Sequence, residues 1–138
     1  MPHTTFHFEL VSPEKSLASK SVVMATIPGG KGEFGVLGNH APVMTTVVPG
    51  VITLYENDET TVTERIFVAG GFADVSAERC IVLVEAATPV ANLNREEAAA
   101  QVNELNEKIA TLTDESQRET LDAQLELAKA KLHAASAA

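Results

Sequence analysis

The side chains best suited to metal or nucleophilic chemistry are four histidines, His3, His7, His40 and His133, and one cysteine, Cys80. The histidines are scattered and form no metal-ligand set. Cys80 opens an apolar run with no activating neighbour in sequence, so it reads as a small core residue. Pro28-Gly29-Gly30-Lys31-Gly32 invites comparison with a phosphate loop. Such a loop needs a hydroxyl residue directly after the lysine to hold magnesium, and Gly32 stands there instead. The segment reads as a turn that needs positive φ. No serine sits in a G-x-S-x-G elbow. The carboxylates fall mostly on helix faces and turns, where solvation is the default. These residues imply no catalytic centre, no metal site and no cofactor site.

One segment stands out, Gly30 to Pro42. Glycines at 30, 32, 35 and 38 permit an irregular path, with Lys31, Glu33 and His40 displayed near it. It reads either as two linked turns inside a sandwich or as a polar docking edge, since loops on a rigid scaffold commonly carry recognition.

The elements that hold this segment divide into two kinds. Residues 1–87 contain all eight glycines, five of six prolines and every aromatic residue, whereas 88–138 have no glycine and twelve alanines in 51 residues. In the first part Phe6, Phe8 and Leu10 alternate with His7 and Glu9, the period of a half-buried strand. Apolar runs follow at Val22–Ile27, stopped by Pro28-Gly29-Gly30, and at Phe34–Leu37, Val43–Val48 and Val51–Tyr55. More come at Thr60–Thr63, Ile66–Val68, Phe72–Val75 and Ile81–Val84. Eight or more short strands with regular turn signals predict an antiparallel β-sandwich or barrel. No helical pattern separates them, as a parallel sheet would need.

The second part predicts an antiparallel two-helix hairpin. Asn92 or Asn94 can cap the first helix, and Glu96 and Glu97 suit its first turn. The seams are Ala98, Val102, Leu105, Ile109, Leu112 and then Leu121, Leu125, Ala128, Leu132, Ala135, each spaced 4, 3, 4, 3. Thr113 to Ser116 break the two apart, and Ala134 to Ala138 are expected to fray. So narrow a seam leaves the hairpin marginal alone; it needs a surface to lie on and could exchange one for another. The expected domains are therefore 1–87, a β-sandwich, and 88–138, a helical hairpin.

Ten basic and nineteen acidic residues give a net charge of −9, divided almost evenly between the two parts. Nucleic acid and anionic membrane surfaces are poor partners for such a chain. Its longest apolar run, Cys80 to Val84, is far short of the ~20 residues of a membrane helix. One cysteine excludes an internal disulfide. The start, Met-Pro-His-Thr-Thr-Phe, has neither a basic apolar leader nor an Arg-rich transit pattern. The chain is expected to be soluble, in a reducing compartment, with no direct membrane insertion.

At Gly-Glu-Phe-Gly-Val-Leu-Gly-Asn-His-Ala-Pro (residues 32–42) the sequence resembles the epsilon subunits of F-type ATP synthases, whose signature is G-E-(L/F)-G-(I/V)-x-x-x-H-A-P. Phe8 to Pro13, Val48-Pro49-Gly50, Val68 to Phe72 with Asp74-Val75, and Val82 to Ala87 match as well. The resemblance implies a ten-stranded sandwich and a helical hairpin in the central stalk. There the chain would bind the gamma subunit and rest on the c-subunit ring, coupling ion-driven rotation to ATP formation elsewhere, with no catalysis of its own. It implies that Glu33 meets the polar loops of the ring, flanked by Lys31 and Gly32, with His40 nearby. It places the chain peripherally on the cytoplasmic face of a bacterial inner membrane. A nucleotide-binding regulatory module and a small enzyme are the competing functions.

In many members the hairpin also restrains ATP hydrolysis through the alpha/beta catalytic subunits, and some bind ATP at (I/L)-D-x-x-R-A. The matching stretch here is Leu93-Asn94-Arg95-Glu96-Glu97-Ala98, with Asn94 in place of the acid and Glu97 in place of the arginine. A carboxylate there repels phosphate, so no useful ATP binding is expected. The second helix sets Arg118, Lys129 and Lys131 against Glu119, Asp122 and Glu126, so a brake that relies on a basic strip should be weak.

Overall fold

The computed structural model describes residues 4–14, 16–39 and 41–136. It holds two compact units, Met1–Pro89 and Val90–Ala138. The first contains ten strands: β1 (Phe6–Val11), β2 (Ser16–Val22), β3 (Met24–Gly29), β4 (Gly32–Leu37), β5 (Val43–Val47), β6 (Gly50–Tyr55), β7 (Glu64–Val68), β8 (Gly71–Val75), β9 (Arg79–Val84) and β10 (Ala87–Pro89). Hydrogen-bonded neighbours run β10-β7-β6-β3-β5-β8-β9-β1-β2, with β4 on the side of β3. The sheet folds over on itself as a sandwich close to a barrel. Phe8, Ile27, Val36, Ile52, Leu54 and Val82 are fully buried in one cluster between its layers.

The alternation of Phe6, Phe8 and Leu10 is realised, with these three inside and His7, Glu9 and Val11 turned outward. Among the described residues eight of nine ladders are antiparallel; β1 and β9 are the exception, pairing in parallel from His7–Arg79 to Val11–Leu83. The expected antiparallel sandwich is present, with this one parallel ladder inside it. The physical reason is chain separation: the intervening strands themselves make the crossover, so no local helix is required.

Other departures have local causes. β2 was not legible, because Ser-Leu-Ala-Ser-Lys-Ser-Val is mostly polar; it lies at the end of the strand order, where one side of a strand meets solvent. The expected run Val22–Ile27 is divided at Val23, whose N–H donates to the Tyr55 carbonyl at 2.7 Å. β3 also continues through Pro28. The Pro28 carbonyl accepts from Val48 N–H at 2.9 Å, so its missing donor faces away from the β3–β4 ladder. Thr60–Thr63 form no strand. Asp58 draws in the N–H groups of Thr60 (2.8 Å) and Thr61 (2.6 Å) and both hydroxyls (3.1 Å each), a local alternative to ladder pairing. Lys20 of β2 reaches Glu64 at the start of β7 (2.8 Å) and Glu56 (3.7 Å), clasping strands remote in the sheet order.

In the second unit a 3₁₀ turn (Val90–Asn92) precedes α1 (Arg95–Ala110) and a second one (Glu115–Gln117) precedes α2 (Arg118–Ser136). Asn94, not Asn92, is the N-cap of α1: its Oδ1 accepts from Glu97 N–H at 3.1 Å. Thr111 closes α1, its hydroxyl donating to the Glu107 carbonyl at 3.1 Å. All ten seam positions are buried or half-buried, and Leu105, Leu125 and Ala128 form the centre with Val102, Ile109 and Leu121 around them. Fraying from Ala134 is corrected: α2 runs to Ser136 and Ala134 is buried, while 137–138 lie outside the described residues. No helix among the described residues is long and apolar enough to cross a membrane.

Candidate interaction surfaces

Two surfaces of the first unit could receive a partner. The smaller is the tip between β3 and β4. Gly29 and Gly32 are paired, leaving Gly30-Lys31 as a two-residue turn, which the Gly30 N–H ties to the Thr46 carbonyl at 3.2 Å. Gly32 has φ +124°, which side chains rarely adopt, so glycine is required there. The turn presents Lys31 and Glu33 to solvent on either side of it. Lys31, Gly32 and Glu33 are thus brought together; His40 lies outside the described residues. Beyond the tip the path is less irregular than four glycines suggest, since Gly35 lies inside a regular β4. Asn94 and Glu97 belong to the second unit, where one caps α1 and the other is exposed in its first turn.

The larger surface was not singled out from sequence. It is the outward side of β5, β8, β9 and β1. Thr46, Phe72, Leu83 and Val11 lie opposite one another across these four strands, and Met44, Asp74, Ile81 and Glu9 form the next row. Met44 is 66% exposed, Leu83 52% and Phe72 37%. Between the turn after β1 and the β8–β9 pair lies an apolar groove of about 500 Å³, lined by Val11, Pro13, Gly71, Phe72, Leu83 and Glu85 among others. Gly71 lets β8 and β9 approach there: a Cβ on it would run into the Leu83 carbonyl. A sequence signal existed. The run Cys80–Val84 has no polar phase, so its alternate residues Ile81 and Leu83 must face outward while Cys80, Val82 and Val84 fill the core.

Neither surface has the chemistry of a reaction centre. Cys80 is fully buried, and burial, with the Asp74 charge second, pushes its thiol up to about 12, so it stays neutral near pH 7. Among the described residues no cluster of His, Cys, Asp and Glu has metal-binding geometry. In the second unit a shallow groove of about 260 Å³ between the helices carries Lys108 and Lys131, but Glu104 already engages Lys108 at 3.3 Å.

The first unit is thus a small β-sandwich with a polar hairpin tip and an apolar outer face, and the second is a pair of helices. Residues 5–90 match the model of the ATP synthase delta/epsilon chain beta-sandwich domain. The chain is 48% identical over 128 residues to the ATP synthase epsilon chain of Rhodospirillum centenum, covering 91% of this chain and 88% of that one. It is 43% identical over 114 residues to that of Rhodospirillum rubrum, covering 83% and 84%. In fold it is similar to a chain of the Euglena gracilis mitochondrial ATP synthase OSCP/F1/c-ring structure (TM-score 0.84, 22% identity, 99% of this chain and 84% of that one). A chain of the Tetrahymena thermophila mitochondrial ATP synthase central stalk/c-ring structure is similar too (TM-score 0.68, 16% identity, 98% and 99%). The chain belongs to the ATP synthase epsilon-chain family.

Proposed function

We propose that this chain is a non-catalytic rotor subunit of an F-type ATP synthase. The sandwich binds the gamma subunit through the outer face of β5, β8, β9 and β1. The β3–β4 tip, with Lys31, Gly32 and Glu33, rests on the polar loops of the c-subunit ring, so rotation driven by ion flow reaches the catalytic head. The place of action is the cytoplasmic face of a bacterial inner membrane, held peripherally.

The observation that carries this reading is the exposure of Met44, Phe72 and Leu83 on strand positions that usually carry polar side chains. Clustered large side chains at the centre of an interface supply most of its affinity. A charge pair at the solvent-exposed tip adds only about 0.2–1 kcal/mol. The apolar face therefore anchors, and the tip sets orientation against the ring.

The hairpin is a weak brake. Arg118 is engaged by Asp122 at 3.7 Å, and Lys129 and Lys131 share α2 with Glu119 and Glu126, which leaves no basic strip for the alpha/beta catalytic subunits. Nucleotide does not bind at the first turn of α1, where Asn94 serves as cap and Glu97 presents a carboxylate. The test is ATP hydrolysis and ion pumping by the assembled complex, with the full chain and with one ending at Pro89, so that β10 is kept. Equal hydrolysis rates with pumping retained fit the proposal. A several-fold rise on truncation overturns the weak brake, and loss of gamma subunit from complexes with intact Met44, Phe72 and Leu83 overturns the docking face.

A further inference from the structure

The apolar face has a charge at its centre. Asp74 lies opposite Met44 of β5 and Ile81 of β9, with Phe72 two residues along its own strand. Leu83 and Thr46 stand on two diagonals, at the ~7–8 Å of diagonal cross-strand neighbours. Arg79 stands on a third diagonal and makes no ion pair with it, and Asp74 has no ion-pair or hydrogen-bond partner among the described residues. The side chain is exposed. Glu9, beyond Ile81 in the same row, and Glu85 in the neighbouring groove are also acidic. Among the described residues, basic groups enter at one end of these rows, where His7 lies opposite Arg79.

We infer that Asp74 is the specificity-determining residue of this face, and that it receives one arginine or lysine of the docked gamma subunit inside the frame of Met44, Phe72 and Leu83. The inference rests on the proposed docking of gamma to this face and adds the chemistry of its centre. Charge chooses the occupant. A second copy of this chain would bring acidic rows together, whereas a surface with an apolar rim and a basic centre complements this one. Docking excludes water from the surrounding apolar side chains, which strengthens the pair at the moment it forms. Losing one partner of such a pair leaves the other charge buried and unmatched, so the residue acts chiefly against wrong partners and on dissociation.

The test measures the affinity of the full chain for the alpha/beta/gamma complex of the same enzyme, at low and high salt. Four forms are compared: unaltered, Asp74→Asn, Asp74→Glu and Leu83→Ser. Asp74→Asn should weaken binding at least about 30-fold and flatten its salt dependence, with Asp74→Glu within a few-fold of the unaltered chain. Leu83→Ser should weaken binding while the salt dependence persists. Asp74 is exposed, so its variants should keep the unaltered melting temperature, which separates a binding effect from a folding one. If Asp74→Asn binds normally while Leu83→Ser does not, the role of Asp74 falls and the docking face stands. Weaker binding by Asp74→Asn with unchanged salt dependence also overturns the ion pair. If neither variant weakens binding, the docking face itself is wrong. Dimers of the isolated chain that Asp74→Asn strengthens would mean that the face belongs to a second copy.

Discussion

The two units spend their apolar residues in opposite ways. In the sandwich Phe8, Ile27, Ile52 and Leu54 have no exposed surface, yet Met44, Phe72 and Leu83 stand in solvent. Among the described residues of the hairpin no large apolar side chain is fully buried, Leu105 keeping 6% and Leu125 9% exposure, and none stands exposed as Met44 does. A closed core makes a rigid frame, and surplus apolar area on its outside then becomes a place to bind. A two-helix seam uses its apolar residues up in holding itself together. Opening it costs less than opening the frame, because stability follows local buried area.

The sharpest break of that contrast comes from the core. Phe8→Ala should destabilise the sandwich by about 3–5 kcal/mol, read from urea unfolding followed at the strands. Gly71→Ala forces β8 away from the Leu83 carbonyl and should cost about 1–3 kcal/mol, because the obstructing atom is backbone and cannot rotate aside. Leu125→Ala in the hairpin should cost about 2 kcal/mol, near the low end for such a change, since a two-helix seam can collapse onto the gap. Its loss should appear as helix signal melting early while the sandwich transition stays put. If Leu125→Ala lowers both transitions together, the two units unfold as one and the contrast fails.

How much of this was legible follows the same division. Seams with 4, 3, 4, 3 spacing placed both helices and their inner faces, because a helix shows its buried side in its own sequence. β1 was legible for the equivalent reason, with Phe6, Phe8 and Leu10 in strict alternation. β2 was not, since its serines answer to an open edge that only the assembled sheet defines. β10 was missed because three residues beside β7 carry no period of their own. The parallel β1–β9 pair depends on contacts between residues some seventy positions apart, which no local pattern encodes. At the candidate surfaces, the β3–β4 tip was visible through its glycines and charges. The apolar face was hidden because Phe72 and Leu83 look like core until the register shows which way they point. The start of α1 was legible as Asn92 or Asn94 from residue type, and the structure uses Asn94 as the cap.

That cap provides a smaller test. Asn94→Ala removes the acceptor for Glu97 N–H and should cost the hairpin about 1 kcal/mol, with faster amide exchange in the first turn of α1 and none of the effect in β1 to β10. Asn94→Asp should hold the cap. It also restores the acid of the ATP motif, and with Glu97 still in the arginine's place nucleotide should remain unbound. ATP binding by Asn94→Asp alone would show that Glu97 is no obstacle.

Acid separates the units by the smallest margin. Asp58 in the sandwich unit accepts from Thr60 and Thr61 through two N–H groups and two hydroxyls, which lowers its carboxyl from 3.8 to about 2. Asp114 in the hairpin accepts only from Ser116, through its hydroxyl and its N–H, and is lowered for the same kind of reason. Each carboxyl is lower folded than unfolded, so the unfolded chain binds more protons in between, and stability rises with pH across that interval. Each contribution is complete above the unfolded value and disappears as pH falls through the folded one. For Asp58 the window runs from about 4 down to about 2. Asp58→Asn keeps an oxygen for the two N–H donors and removes the titration, so it should flatten the acid limb of the sandwich transition without touching the helix signal. Asp114→Asn should do the reverse. If Asp58→Asn leaves the acid limb as steep as before, other carboxylates govern it.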